Sequence, residues 1–145
     1  MKIEMINKIK LKTSFDFDAA HRLVGYDGKC LNLHGHRWFV NIEIEGNRKQ
    51  LDKVGILWDF TNKKMLKNLF DHKTILKNCD ENKDLILAVR NCGYGIEDSI
   101  YLMKENPTAE NICFEILTLL QASNLQLKYK VVVWESPKSS CEVEG

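Results

Sequence analysis

The stretch CLNLHGHRW, residues 30–38, sets one thiol and two imidazoles within seven residues. His34 and His36 are two apart, so on a strand they share a face and can grip one ion. Gly35 between them adds no bulk to the opposite face. His21 ends an earlier alternating segment, on the same face as Phe15 and Phe17. If the two segments pair as a hairpin, three neutral imidazoles converge. Three nitrogen donors with the fourth position open is the arrangement of a catalytic zinc site. The plain alternative is three ordinary surface or core histidines. Cys30 also reads two ways. It closes the set as a fourth ligand in a structural site, or it stands beside an open zinc as a thiolate base. A nearby cation lowers a thiol pKa in either role, and the spacing does not decide.

Other residues carry weaker signals. Asp71 and His72 follow an apolar helical face. A carboxylate can orient an imidazole for proton transfer, yet the pair reads equally as a helix C-terminus with a favourable cation. Glu135 closes a strand on the face of Val131 and Val133. It is either solvated at the strand end or placed to receive a pair of donors from a ligand. Cys79, Cys92, Cys113 and Cys141 have no such company and read as buried small side chains or surface thiols.

These residues need elements to position them. Residues 10–20 alternate with period two, as do His34–Glu45, and both read as half-buried strands. The glycine-containing VGYDGKC between them is a loop. A helix follows GILWDF, capped by Asp59 or Thr61, with Met65, Leu66, Leu69 and Phe70 as its apolar stripe. Residues 82–91 form a short amphipathic helix that stops at Cys92-Gly93, and SIYLM reads as a short strand. Pro107 and an N-cap at Thr108 start a helix to about Ala122, with Ile112, Ile116, Leu119 and Leu120 inward. KYKVVVWE is a strand, with room for a hairpin after it. The order β-β-α-(insert)-α-β predicts an α+β domain over 1–145, an antiparallel sheet with two main helices on one side.

The chain has 145 residues and 44% apolar content, enough for a core without disulfide staples. Its 21 basic and 20 acidic residues net to +1, which argues against a nucleic-acid binder that relies on a broad basic field. No apolar run reaches the ~18 residues of a membrane span, and the N-terminus lacks a secretory h-region. Five cysteines without a CxxC pair read as reduced thiols of a cytoplasmic protein.

FDFDAAHRL, CLNLHGH, FDHKTIL, NPTAEN and VVVWES occur in this order from about Ser14 to Ser136. In that order they resemble the 6-pyruvoyl-tetrahydropterin synthase / 6-carboxytetrahydropterin synthase family. The resemblance implies a tunnelling fold assembled as an oligomeric barrel, typically a homohexamer. It implies His21, His34 and His36 as zinc ligands and Cys30 as the proton-abstracting thiolate. Asp71 and His72 match the family's proton-relay pair. Glu135 matches the glutamate that holds the pterin ring, and Thr108 a position near the pterin pocket. The implied substrate is 7,8-dihydroneopterin triphosphate. The compact C-x-x-x-H-G-H spacing is similar to the carboxy-forming branch of queuosine synthesis, which releases acetaldehyde. The pyruvoyl-forming reaction and a non-catalytic zinc-stabilised pterin module are the alternatives. The chain departs from the pattern in an insert between Asn78 and Pro107, in a tail without an aromatic, and at Trp38 and Trp58.

Overall fold

The computed structural model describes residues 8–51, 63–93, 98–123 and 127–145. Strands β1 (Lys8–His21) and β2 (His34–Asn47) form a long antiparallel hairpin whose register runs from Lys8↔Asn47 to His21↔His34. Alternation dictates this pairing. Phe15, Phe17, Ala19 and His21 of β1 are buried with Trp38, Val40, Ile42 and Ile44 of β2. A slip of one residue would turn both sets to solvent. Lys10, Lys12 and Glu43 sit on the opposite face and pair across the strands.

Among the described residues the sheet has six strands in the order β4-β3-β1-β2-β5-β6. Strand β5 (Lys128–Ser136) pairs antiparallel with β2, and β6 (Ser139–Glu144) completes the C-terminal hairpin for which the sequence left room. On the other flank β3 (Lys73–Lys77) and β4 (Ile100–Met103) run parallel to their neighbours. The antiparallel expectation therefore holds for β1, β2, β5 and β6, while the flank after β1 is parallel, joined by helical crossovers.

Helices α1 (Lys63–Phe70) and α3 (Ala109–Ser123) cover one face. Ile112, Cys113, Ile116 and Leu120 of α3 are buried there with Leu66 and Phe70 of α1. Each such aliphatic side chain contributes about 1.5–3 kcal/mol relative to exposure. Met65, expected inward, is 44% exposed, because the helix turns Leu66 and Phe70 to the sheet instead. The expected caps at Asp59 and Thr61, and Trp58, lie outside the described residues. The insert contributes α2 (Lys83–Cys92) and β4, matching the expected helix and strand. Helix α2 packs on the opposite face from α1 and α3, where Leu76, Ile86 and Ile100 make a separate small core.

Candidate metal and ligand site

The β1–β2 register sets His21 directly opposite His34, with His36 opposite Ala19. The ring centroids lie 4.6 Å apart for His21 and His34, 5.1 Å for His21 and His36, and 5.0 Å for His34 and His36. One nitrogen from each of the three falls within 4.8 Å of the others, a geometry that could hold a metal ion. Cys30 is not in this set. It lies half-buried on a 3-10 turn, Lys29–Leu31, whose Cys30 carbonyl accepts the Leu23 N–H at 2.8 Å.

Main-chain carbonyls fix the orientation of two rings. His21 Nδ1 lies 2.7 Å from the Pro107 carbonyl, and His34 Nδ1 lies 2.7 Å from the Asn32 carbonyl. A carbonyl only accepts, so each Nδ1 carries its hydrogen and each Nε2 presents a lone pair. Those two Nε2 atoms face each other at 3.1 Å. Two lone pairs at that separation repel unless a cation or proton lies between them. Among the described residues, His36 Nε2 is buried without a hydrogen-bond partner. Imidazoles oriented by carbonyls in this way suit a metal ion. Burial lowers the His21 pKa to about 4, against a weaker raising effect of the Pro107 carbonyl, and keeps the ring neutral for ligation. Burial also lowers that of His36, opposed by the Glu135 carboxylate.

Trp38 is the floor of the cluster. It is fully buried, its ring meets His21 and His36 edge-on at 5.0 Å and 5.5 Å, and it stacks on Phe17. Its Nε1–H donates to the Ala19 carbonyl at 3.3 Å. This gives the tryptophan that departs from the family pattern a structural place: its ring packs edge-on against two imidazoles.

Glu135 reaches the cluster from β5. Its Oε1 lies 3.6 Å from His36 Nε2. Pairing of β2 with β5 ends at Phe39↔Trp134, and the β5–β6 register shifts between Trp134 and Ser136. Alternation along β5 puts Glu135 on the face of Val131 and Val133, toward His36, and the register shift falls at its position. A cleft of about 590 Å³ opens there, lined among others by Asp16, His36, Arg37, Phe39, Trp134 and Glu135. A second hollow of about 520 Å³ lies on the outer face among Lys12, Asn41, Glu43, Lys130 and Glu142, away from every sequence-predicted site residue.

Asp71 and His72 sit elsewhere. Asp71 Oδ1 accepts the Asp18 N–H at 3.0 Å, and the His72 N–H donates to the Asp18 carbonyl at 2.7 Å. His72 Nδ1 is 3.1 Å from Asp71 Oδ2 and its side chain is 80% exposed. His72 takes φ 59, the left-handed turn that ends α1. Partial burial raises the Asp71 pKa, but the Asp18 N–H and His72 outweigh it and leave the carboxyl below its ordinary value. The contacts of the pair run to Asp18, three residues along β1 from His21, and not to Cys30. Thr108 caps α3, its Oγ1 accepting the Asn111 N–H at 3.2 Å.

Residues that sequence reasoning did not single out complete the site. Pro107 supplies the carbonyl behind His21. Asn106 Oδ1 accepts the Val24 N–H at 3.0 Å and its Nδ2 donates to the Val24 carbonyl at 2.9 Å, tying the β1–β2 loop to the start of α3. Main-chain partners leave no spacing signal; the NPTAEN segment was the only pointer.

The family model described as 6-pyruvoyl tetrahydropterin synthase matches residues 10–145. The chain belongs to the 6-pyruvoyl tetrahydropterin synthase family. This family member is 40% identical over 109 residues to the 6-carboxy-5,6,7,8-tetrahydropterin synthase of Rickettsia felis, covering 72% of this chain and 74% of that one. It is 35% identical over 144 residues to the Rickettsia conorii protein of the same name, covering 93% and 99%. A crystal structure of 6-pyruvoyl tetrahydropterin synthase from Plasmodium vivax superposes with a TM-score of 0.66 at 19% identity, covering 95% and 98%. The fold is the tunnelling fold, and the family is one of tetrahydropterin synthases. Among the described residues no helix is long and apolar enough to cross a membrane.

Proposed function

We propose that this chain converts 7,8-dihydroneopterin triphosphate and water to 6-carboxy-5,6,7,8-tetrahydropterin, triphosphate and acetaldehyde, the queuosine-branch reaction. The observation that carries the reading is the facing pair of Nε2 lone pairs on His21 and His34, with His36 Nε2 unpartnered beside them and Glu135 next to it. The names of the Rickettsia relatives support the carboxy product.

His21, His34 and His36 would hold zinc through one nitrogen each. Zinc, when bound, acidifies the hydroxyls of the substrate side chain. Cys30 takes the carbon-bound proton, and Asp71 with His72 passes protons onward. Glu135 accepts from the exocyclic amino group and adjacent ring N–H of the pterin, a charged contact to two donors. Thr108 stands beside Pro107, where a contact to the ligand is compatible with its capping role. Among the described residues strands β4 and β6 are paired on one side only. Open edges invite pairing with copies of the same chain, so the working form is a homo-oligomer, a hexamer by family resemblance, in the cytoplasm.

Incubation of the zinc-loaded protein with dihydroneopterin triphosphate, followed by mass spectrometry, tests the reading. The 6-carboxy product with equimolar acetaldehyde is expected. Accumulation of 6-pyruvoyl-tetrahydropterin, or no turnover at all, overturns it.

A further inference from the structure

Cys113 and Cys141 lie on opposite sides of the interface between α3 and the C-terminal hairpin, and the site described above uses neither. Cys113 is fully buried on the inner face of α3. Its thiol donates toward the Val131 carbonyl, 3.2 Å away, and toward the Cys141 carbonyl, 3.4 Å away. The thiol therefore sits between β5 and β6. On β6 the pleat turns Cys141 and Val143 toward the core and Ser140, Glu142 and Glu144 outward. Cys141 consequently faces α3, and the Cys113 thiol lies 3.4 Å from its carbonyl. Unlike its partner, Cys141 is only half-buried.

We propose that Cys113 and Cys141 form an oxidisable dithiol that closes, on reaction with a hydroperoxide, to an intrachain disulfide joining α3 to β6. Access sets the order of steps. The Cys141 sulfur attacks the distal peroxide oxygen and becomes a sulfenic acid, releasing water when the peroxide is hydrogen peroxide. The Cys113 sulfur then displaces the sulfenic hydroxyl, its proton leaving with that oxygen as a second water. Two thiols lose two hydrogens and two electrons, and one peroxide becomes two waters. Burial raises the Cys113 pKa to about 12, so little of it is thiolate at neutral pH and the closing step is slow there. The closed loop, residues 113–141, contains β5 and Glu135. Oxidation therefore ties the hairpin that carries Glu135 to the helix that begins next to Pro107.

The test treats the reduced full-length chain with hydrogen peroxide, then maps thiols by mass spectrometry after digestion without reductant. A peptide pair linked through Cys113 and Cys141 is expected, with the protein still running as a single chain on a denaturing non-reducing gel. The melting temperature should rise by several degrees, because the bond restricts the unfolded chain. Cys113→Ala should leave the Cys141 sulfenic acid open to capture by dimedone. Should that variant fail to fold, Cys141→Ser serves, and Cys113 must then remain a free thiol after peroxide. Sulfinic acid at Cys141 with Cys113 still free, or a Cys141 bond to another chain, overturns the proposal.

Discussion

The Nε2 atoms of His21 and His34 face each other at 3.1 Å while the Nδ1 of each ring is committed to a main-chain carbonyl. The arrangement is costly for the metal-free chain and favourable once a cation sits between the rings. Zinc should therefore stabilise the fold, by about 2.7 kcal/mol at a free concentration one hundred times its dissociation constant. Thermal melts with and without chelator measure this. His34→Ala should lower zinc content and abolish the zinc-dependent shift. Full zinc content in that variant would remove the three-histidine assignment.

Trp38 supports the same cluster from below. Trp38→Ala should destabilise the protein by about 3–5 kcal/mol, the range for emptying a buried aromatic site. It should also weaken zinc binding, since His21 and His36 lose the ring against which their edges rest. Trp38→Phe keeps the packing and loses the bond to the Ala19 carbonyl, a cost of about 1 kcal/mol. Denaturant unfolding with parallel zinc analysis separates the two effects. Equal zinc affinity in all three proteins would make Trp38 a core residue only.

The histidine face was legible because alternation on β1 and β2 is strict, and strict alternation fixes both pairing and side. Strand β3 was not legible. Ile75 packs into the main core and Leu76 into the small core under α2, so neighbouring residues are both buried and the period of two vanishes. The same cause hid the second covered face: α2 reads as amphipathic from sequence, but nothing local says which side of the sheet it takes. The ligand side of the site was partly legible. Glu135 stood out as a carboxylate on an apolar face, whereas the register shift between β5 and β6 at its position left no mark in the sequence. The Pro107 and Asn32 carbonyls were invisible, since a main-chain acceptor has no residue type.

Alkaline stability follows from buried groups of the main core. Burial raises the Cys113 pKa from 9.0 to about 12. Burial also raises those of Tyr101 and Tyr129, Tyr101 with help from its bond to Glu115. Each group keeps its proton in the fold and loses it sooner in the unfolded chain. Stability is then fully present below about pH 9 and falls as pH rises toward the folded values. One such group contributes a slope of about 1.4 kcal/mol per pH unit. Melts from pH 8 to 11 should show the decline, shallower in Cys113→Ala. A flat profile would mean that Cys113 titrates as an exposed thiol.

Glu135→Gln should leave zinc content unchanged and weaken substrate binding. The carboxylate lies 3.6 Å from His36 Nε2, is not among the clustered nitrogen donors, and lines the cleft. Replacing a charged acceptor with an amide costs roughly 1.5–3 kcal/mol, which is about one to two decades in affinity. Calorimetry with dihydroneopterin triphosphate and metal analysis on one preparation decide the matter. Normal binding by the variant would move the pterin pocket away from Glu135.

Cys30→Ala separates a catalytic centre from a purely structural one. Cys30 rides on the 3-10 turn Lys29–Leu31, which the Leu23 N–H bond to its carbonyl closes against the end of β1. That bond is main-chain, so substitution leaves the turn intact. The thiol is half-buried and outside the cluster of histidine nitrogens, where a base can meet a substrate without occupying a metal position. A proton-abstracting residue contributes about two to four decades in rate. Cys30→Ala should therefore keep its zinc, keep its melting temperature within a degree or two, and bind substrate, while turnover falls by that factor. Cys30→Ser should be nearly as slow, because an alcohol is a far weaker acid than a thiol and supplies little base near neutral pH. Zinc loss together with a lower melting temperature would instead make Cys30 a fourth ligand, and the chain a zinc-stabilised pterin module without turnover.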